Sequence, residues 1–280
     1  MTNQIKTWIY LIVLTCLIMF LGELVGGRQG LLAAFVLSLV VNFFSYFCSD
    51  KLILHTYGAR LVEGIDPYGL QKLVAKLAER ASIPKPDVYI IPSETPNAFA
   101  TGRSPKHASV AATEGILRLL TKEELEGVLA HELSHVQQCD TLIMAIAACL
   151  GTTVMYLANA LRWVPFFRAD NDSENRNSFA TSILIAIVAP FAAVLIQLAL
   201  SRSREYLADA HGAEMTSNPQ ALATALWKIH NYSQALPMRA TATTAHLFIV
   251  NPLFGGGINS LFSTHPPIEE RIKKLIGRTL

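Results

Sequence analysis

Charge is scarce in this sequence. Asp, Glu, Lys and Arg supply only 16% of its 280 residues, well below the roughly 25% of an ordinary soluble domain. Basic and acidic residues nearly balance, at 23 and 21. No basic run with interleaved aromatics marks a nucleic-acid surface. Cysteine is also rare: Cys16, Cys48, Cys139 and Cys149. Three of them sit in apolar runs and none forms C-x-x-C, which argues against a disulfide framework or a thiolate zinc site. They read as small buried apolar residues. The GGG at 255–257 is not followed by GK[ST], so it is no phosphate loop. No internal repeat is present.

What the chain has instead is apolar length. Hydrophobic residues make up 51% of it. Four runs stand out: TWIYLIVLTCLIMFLGELV (7–25), GLLAAFVLSLVVNFFSYFCS (30–49), TLIMAIAACLGTTVMYLANAL (141–161) and NSFATSILIAIVAPFAAVLIQLALS (177–201). Each has about 20 residues or more, the length that crosses roughly 30 Å of hydrocarbon. Four such runs leave too little polar chain to cover them in a soluble core. Pro190 interrupts the fourth, which membrane helices tolerate. The first run follows Lys6 but lacks an A-x-A-like cleavage site, and the second follows within a few residues. The pair therefore predicts a retained two-helix hairpin rather than a signal peptide.

The polar stretches between the runs carry their own periodicities. PYGLQKLVAKLAER (67–80) spaces Leu70, Leu73, Val74 and Leu77 as one helical face. DVYII (87–91), bounded by prolines, reads as a strand. NAFAT (97–101), the turn-like GRSPK and ASVAAT (108–113) read as an irregular hairpin of two short strands. TKEE (121–124) is a capping-box pattern that opens a helix running through His131 and His135. Residues 202–213, 219–232 and 267–276 read as further helices.

The helix after the capping box carries the chemistry. In LAHELSHVQQCD (129–140) two histidines stand four apart, with a glutamate after the first. Positions i and i+4 share a helix face. His131 and His135 can thus share one ion, and Glu132 is placed to act as general base on a water. Catalytic zinc usually takes three protein ligands. The H-E-x-x-H-x-x-G-x-x-H continuation is absent, because residues 138 and 141 are Gln and Thr. Candidates for the third ligand are Asp140, Glu205, Asp209, His211, Glu214, His246 and His265.

Topology selects among them. His135 precedes the third apolar run by about five residues, or about 7–8 Å along a helix axis, and Glu205 follows the fourth by about four, or about 6 Å. Two antiparallel crossings return both to one side at nearly one height. Glu205 and Asp209 are themselves i, i+4, so one carboxylate can bind metal while the other orients a ligand histidine. Glu205 is the expected ligand and Asp209 its supporting neighbour. His55, His107, His230 and His246 receive no role, and His211 reads as local structure.

These motifs together resemble a known family. HELSH, then SRSREYLADAHGA after two apolar runs, then STHPPIEERI near the end are similar to the HtpX heat-shock membrane metalloproteases, relatives of the CAAX prenyl proteases. The resemblance extends over nearly the whole chain. It implies a zinc-dependent endopeptidase in the bacterial inner (cytoplasmic) membrane, multi-pass, with its site facing the cytoplasm. It further implies quality control of misfolded or damaged membrane proteins under stress, alongside an ATP-dependent membrane protease. On this chain it makes His131, His135 and Glu205 the zinc ligands and Glu132 the general base. Charge supports that orientation only weakly: Lys6, Lys51, Arg60, Arg202 and Arg204 flank the inner side, Arg28, Arg162, Arg168 and Arg176 the outer.

Two lesser expectations complete the reading. The tetrahedral oxyanion needs a partner besides zinc, and His265 in THPP is the candidate. NAFA resembles the edge strand above the cleft of thermolysin-like enzymes, so Asn97 and Ala98 are expected substrate contacts. The expected fold is mostly α with a small β-sheet: four transmembrane helices plus a zincin (gluzincin-like) catalytic domain. That domain is split into residues 50–140 and 202–280 by a second hairpin at 141–201, the first hairpin occupying 1–49. Partners are unfolded or misfolded membrane proteins and the lipid bilayer, not nucleic acid. Two competing readings are an intramembrane-cleaving protease and a non-catalytic metal-binding scaffold. Charges flanking the HELSH helix disfavour the first.

Overall fold

The computed structural model describes residues 3–147, 202–235, 249 and 266–277. It opens with α1 (Asn3–Phe47), which is not one rod. Gly26 (φ −132°, ψ 15°) and Gly27 (φ 54°, ψ −142°) break the helix and reverse the chain. The Gly27 conformation is closed to residues with a Cβ. The two arms meet along a seam. Thr7, Leu11, Leu14, Ile18 and Leu21 are buried on one arm, and Ala34, Ser38 and Ser45 on the other. Spacings of three and four residues are those of a coiled pair. Asn42 Nδ2 donates across the seam to Thr15 Oγ1 at 2.8 Å, a polar contact worth on the order of 1 kcal/mol between apolar helices.

The outer faces of this hairpin leave Trp8, Ile12, Phe20, Leu32, Val36 and Phe43 exposed. Residues Gly26–Phe47 are long and apolar enough to cross a membrane, and Thr7–Glu23 form a shorter apolar helix. The first two apolar runs thus fold back on each other as expected. Of the four expected spans, one passes the length criterion among the described residues. The third run is helical over 140–147, and the rest of it, the fourth run and the loop at 162–176 lie outside the described residues.

Beyond the hairpin come α2 (Ser49–Thr56), β1 (Arg60–Leu61), α3 (Leu70–Arg80), β2 (Asp87–Ile91), β3 (Ala98–Ser104), β4 (His107–Thr113), α4 (Glu114–Leu119) and α5 (Lys122–Gln137). After residue 201 follow α6 (Arg202–Thr216), α7 (Pro219–Ala235) and α8 (Ile268–Ile276). The fold is mostly helical with one small mixed sheet. Strand order is β1-β2-β4-β3, with β2 and β4 parallel and the other pairs antiparallel.

Strand β3 forms one edge of the sheet. Asn97 O accepts from Thr113 N at 2.9 Å, and Phe99 and Thr101 face Ala111 and Ser109. Odd-numbered residues therefore spend their backbone groups on β4. Ala98, Ala100 and Gly102 direct theirs the other way. Two of those outward groups already have partners: Ala100 N donates to Glu132 Oε2 at 3.0 Å, and Gly102 O accepts from Thr141 Oγ1 at 2.8 Å.

The core lies between sheet and helices. Leu70, Leu73, Val74 and Leu77 of α3 pack with Val88, Val110, Val128, Leu129, Leu133, Leu222, Leu226 and Ile272. Helix α3 starts three residues later than the pattern suggested. Gly69 takes a left-handed φ of 66° at its N-cap, and Asp66 Oδ2 receives the Gln71 N–H at 2.7 Å. Strand β3 runs on to Ser104 because the reversal falls at residues 105–106. The short elements α2, β1 and α4 were not foreseen, being too brief to show a period.

Candidate metal centre

Helix α5 positions three of the site's side chains. Thr121 Oγ1 accepts from Glu124 N at 3.3 Å, and Glu124 Oε2 accepts from Thr121 N at 2.9 Å. This capping box fixes where the helix begins. From Leu129 to Val136 every residue of α5 is buried, so His131, Glu132 and His135 sit inside the protein. The helix lies against β3 on one side and α6 and α7 on others.

Helix α6 runs antiparallel beside α5 at unusually close range. A Cβ added at Gly212 would stand 2.9 Å from His131 N and 3.1 Å from its Cα. The glycine costs on the order of 1 kcal/mol of helix propensity, but it lets the two backbones touch. Glu205 and Asp209, two and one turns earlier on α6, then face the histidines. Both are buried, at 1% and 2% exposure.

The nitrogens and carboxylates converge. His131 Nε2 lies 3.7 Å from Glu205 Oε2, and His135 Nε2 lies 3.6 Å from Glu205 Oε1. The two imidazoles stand edge to face at 4.9 Å. One ligand atom from each of His131, His135 and Glu205 falls within 4.8 Å of the others. Tetrahedral zinc with bonds near 2.0–2.1 Å separates its ligands by about 3.4 Å, so this group fits such an ion. Three buried polar side chains converging at that distance are a candidate ligand set.

The opposite ring nitrogens are backed by carboxylates. His131 Nδ1 is 2.9 Å from Asp209 Oδ1, and His135 Nδ1 is 3.3 Å from Asp140 Oδ2. Each carboxylate is in turn held by an arginine. Arg271 grips Asp209 with Nε at 2.8 Å and Nη2 at 2.7 Å. Arg204 Nη1 holds Asp140 Oδ1 at 2.8 Å. Arg271 also donates Nη1 to Ile249 O at 3.0 Å and comes within 3.8 Å of Glu205 Oε2.

This crowding shifts proton affinities. Burial raises the Glu132 pKa, and neighbouring Glu205 adds to that against the pull of the two histidines and the Ala100 N–H. A proton-hungry carboxylate suits a general base. Burial alone would lower the His135 pKa, but the Asp140 hydrogen bond, Glu205 and Glu132 outweigh it and raise it to about 9. Burial alone would raise Asp209, yet Arg271, helped by His131, holds it down at about 2. Asp140 is likewise lowered, by His135 and Arg204 against burial.

The residues expected from sequence fare differently. His131, Glu132, His135, Glu205 and Asp209 come together in one buried cluster. Asn97 and Ala98 lie at the start of β3, but both are buried, at 2% and 0% exposure. Asn97 is committed to internal bonds: its amide N–H goes to Thr113 Oγ1 at 2.8 Å and its Oδ1 accepts from Ile249 N at 3.2 Å. Its backbone faces β4, which makes it an internal strut of the sheet. His265 and His246 lie outside the described residues. His211 joins α6 to α5 through Gln138 Nε2, 3.1 Å from its Nδ1.

Sequence reasoning passed over Arg271 altogether. A signal was available: in IEERIKKLI, Arg271 shares a face with Ile268 and Ile272 and is itself fully buried. An arginine on an apolar face must find anions. Asp140 and Arg204, 64 positions apart, are brought together only by the fold.

The sequence pattern of peptidase family M48 matches residues 68–279. The chain is 49% identical over 277 residues to the protease HtpX homolog of Desulforapulum autotrophicum, covering 98% of this chain and 90% of that one. It is 49% identical over 272 residues to the protease HtpX homolog of Pyrococcus furiosus, covering 97% and 94%. A crystal structure of S. mikatae Ste24p matches with a TM-score of 0.54 at 19% identity, covering 98% of this chain and 65% of that one. The chain therefore spans less than two thirds of Ste24p, and that likeness speaks for the fold.

Proposed function

Because the chain belongs to peptidase family M48 and is a metalloprotease, we propose that it is a membrane-anchored zinc endopeptidase. It hydrolyses peptide bonds of misfolded or damaged membrane proteins in stress quality control. The observation that carries this reading is the buried convergence of His131, His135 and Glu205, with Glu132 beside them. In this reading those three residues hold the ion and Asp209 orients His131. The choice of zinc follows from the donor set, two imidazoles and a carboxylate in a compact site.

Zinc held there would polarise the scissile carbonyl and lower the pKa of a water towards about 7. Glu132 is placed to take a proton from the attacking water and to deliver it to the leaving nitrogen. Its carboxylate is oriented by the Ala100 N–H. Substrate lies extended along the outer edge of β3, where Ala98 and Ala100 direct backbone groups away from β4. Ala98 is the backbone contact in this reading, and the Ala100 N–H is reserved for Glu132. His265 is assigned to the oxyanion from its place in THPP alone, and His265→Ala should lower kcat while zinc stays bound.

The apolar outer face of the α1 hairpin supports anchoring in a bilayer. Multi-pass placement in the bacterial inner membrane, a cytoplasm-facing site and joint action with an ATP-dependent membrane protease are the expectations we carry from the family resemblance. So is the split of the catalytic domain by a second membrane hairpin.

The decisive experiment compares wild type, Glu132→Gln and Glu205→Ala, purified in detergent. Zinc per chain and cleavage of casein are measured on each. Wild type should carry one zinc and cleave. Glu132→Gln should keep the metal and lose turnover, and Glu205→Ala should lose both. Cleavage by Glu132→Gln would remove the general-base assignment, and full zinc in Glu205→Ala would remove the ligand assignment.

A further inference from the structure

The two histidines of the cluster are supported in the same way from opposite ends, and only one of those supports was anticipated. Behind His131 stands Asp209, gripped by Arg271. Behind His135 stands Asp140, gripped by Arg204. We propose that Asp140 and Arg204 are positioning residues that orient His135 for the metal and tie that orientation to helix α6, which carries Glu205. The inference rests on the metal-site reading above.

The placement of Asp140 is built. On a straight helix, residue 140 would point about 140° away from residue 135. Helix α5 instead ends at Gln137, and Cys139 takes a left-handed φ of 57°. A non-glycine residue accepts that conformation at a cost of order 1 kcal/mol. The turn brings Asp140 back beneath His135, at 2% exposure. One carboxylate oxygen faces His135 Nδ1 at 3.3 Å, and the other accepts from Arg204 at 2.8 Å. With both oxygens engaged, the carboxylate has no freedom to rotate away from the ring.

The chemistry follows from the imidazole. A histidine that ligates through Nε2 must carry its proton on Nδ1, and an acceptor there fixes both tautomer and ring plane. Arg204 supplies the counter-charge that makes burying Asp140 tolerable. Asp140 opens the helical stretch 140–147, and Arg204 lies in the first turn of α6. Arg204 sits one residue before the ligand Glu205. A single ion pair therefore joins the segment that holds His135 to the helix that carries Glu205.

The test uses the full chain in detergent: wild type, Asp140→Ala, Asp140→Asn, Arg204→Ala and Arg204→Lys. Zinc affinity is read by competition with a chelator of known strength, and the cobalt-substituted proteins give a visible spectrum of ligand geometry. Asp140→Ala should weaken zinc binding 10–100-fold and shift the cobalt bands. Asp140→Asn keeps an acceptor oxygen and should lose less. Arg204→Ala should fall between wild type and Asp140→Ala, and Arg204→Lys should recover part of the affinity. If Asp140→Ala fails to fold, Asp140→Asn with Arg204→Ala decides. A lowered melting temperature with unchanged affinity and spectrum would make the pair a mere structural clip and overturn the proposal. A wild type that binds no zinc would instead overturn the underlying metal-site reading.

Discussion

The backbone N–H of Ala100 donates to Oε2 of Glu132 across 3.0 Å. The bond joins the edge strand of the sheet to the helix that carries the histidines, through the carboxylate proposed as general base. It is the only direct link of this kind between β3 and the acidic groups of the cluster among the described residues. Proline at 100 would remove this donor without taking a ladder bond from β4, and its ring would press on the Glu132 carboxylate. Ala100→Pro should therefore lose at least about tenfold in kcat through a misplaced general base, with zinc content measured to confirm that the ligand set survives. Steady-state kinetics with metal analysis check this; unchanged kcat would show that Glu132 needs no help from the strand.

Gly212 sets the distance between the two helices that carry the candidate ligands. Its missing side chain leaves room for the His131 backbone, which an added Cβ would meet at 2.9 Å. Gly212→Ala should weaken zinc binding modestly, and Gly212→Val should abolish stoichiometric zinc by pushing Glu205 out of reach. Zinc content after dialysis reads both. A Val variant with full zinc would mean that α6 can shift without consequence.

Arg271 neutralises a carboxylate with no access to water. Arg271→Met should destabilise the protein by about 3–5 kcal/mol, because an uncompensated buried charge remains. The Asp209 pKa is depressed from 3.8 to about 2. Its contribution to stability is therefore complete above pH 3.8 and is lost as pH falls through about 2. The gap between wild type and Arg271→Met should accordingly narrow below pH 3.8. Denaturant unfolding across that range measures it, and a gap independent of pH would detach Arg271 from Asp209.

His135 predicts the pH dependence of metal uptake. Without an ion its pKa stands at about 9, raised above the ordinary 6.5, so at pH 7 the ring is protonated. A ligand imidazole must be neutral, and zinc binding at pH 7 should release about one proton. Apparent affinity should rise with pH up to about 9 and then flatten. Titration calorimetry in two buffers of different ionisation enthalpy reports the proton count, and identical heats in both would contradict it.

What could be read along the chain was what depends on near neighbours. The i, i+4 histidines, the Thr121–Glu124 cap, the amphipathic face of α3 and the length of the apolar runs are all spacings within a turn or a few turns. Physical rules relate such spacings directly to local geometry. The few residues between the first two runs were enough to suggest that they fold back together, while the Gly26–Gly27 break that turns the chain was seen only in the structure. Even Glu205 was reachable, because the two crossings expected of the third and fourth apolar runs would return it beside the histidines.

The remaining parts of the site were decided only when distant segments met. Nothing near Arg271 in sequence says that Asp209 lies beside it, 62 positions away. Nothing in HVQQCD says that Cys139 will turn left-handed and bring Asp140 under His135. Asn97 sits in a motif that suggested a substrate contact, yet the strand register turned its backbone towards β4 and Ile249 claimed its side chain. The reason is physical. Burial makes an unpaired charge or amide so costly that each must find a partner somewhere. Which partner it finds depends on how closely whole elements pack, and here that closeness hangs on details such as the missing Cβ of Gly212.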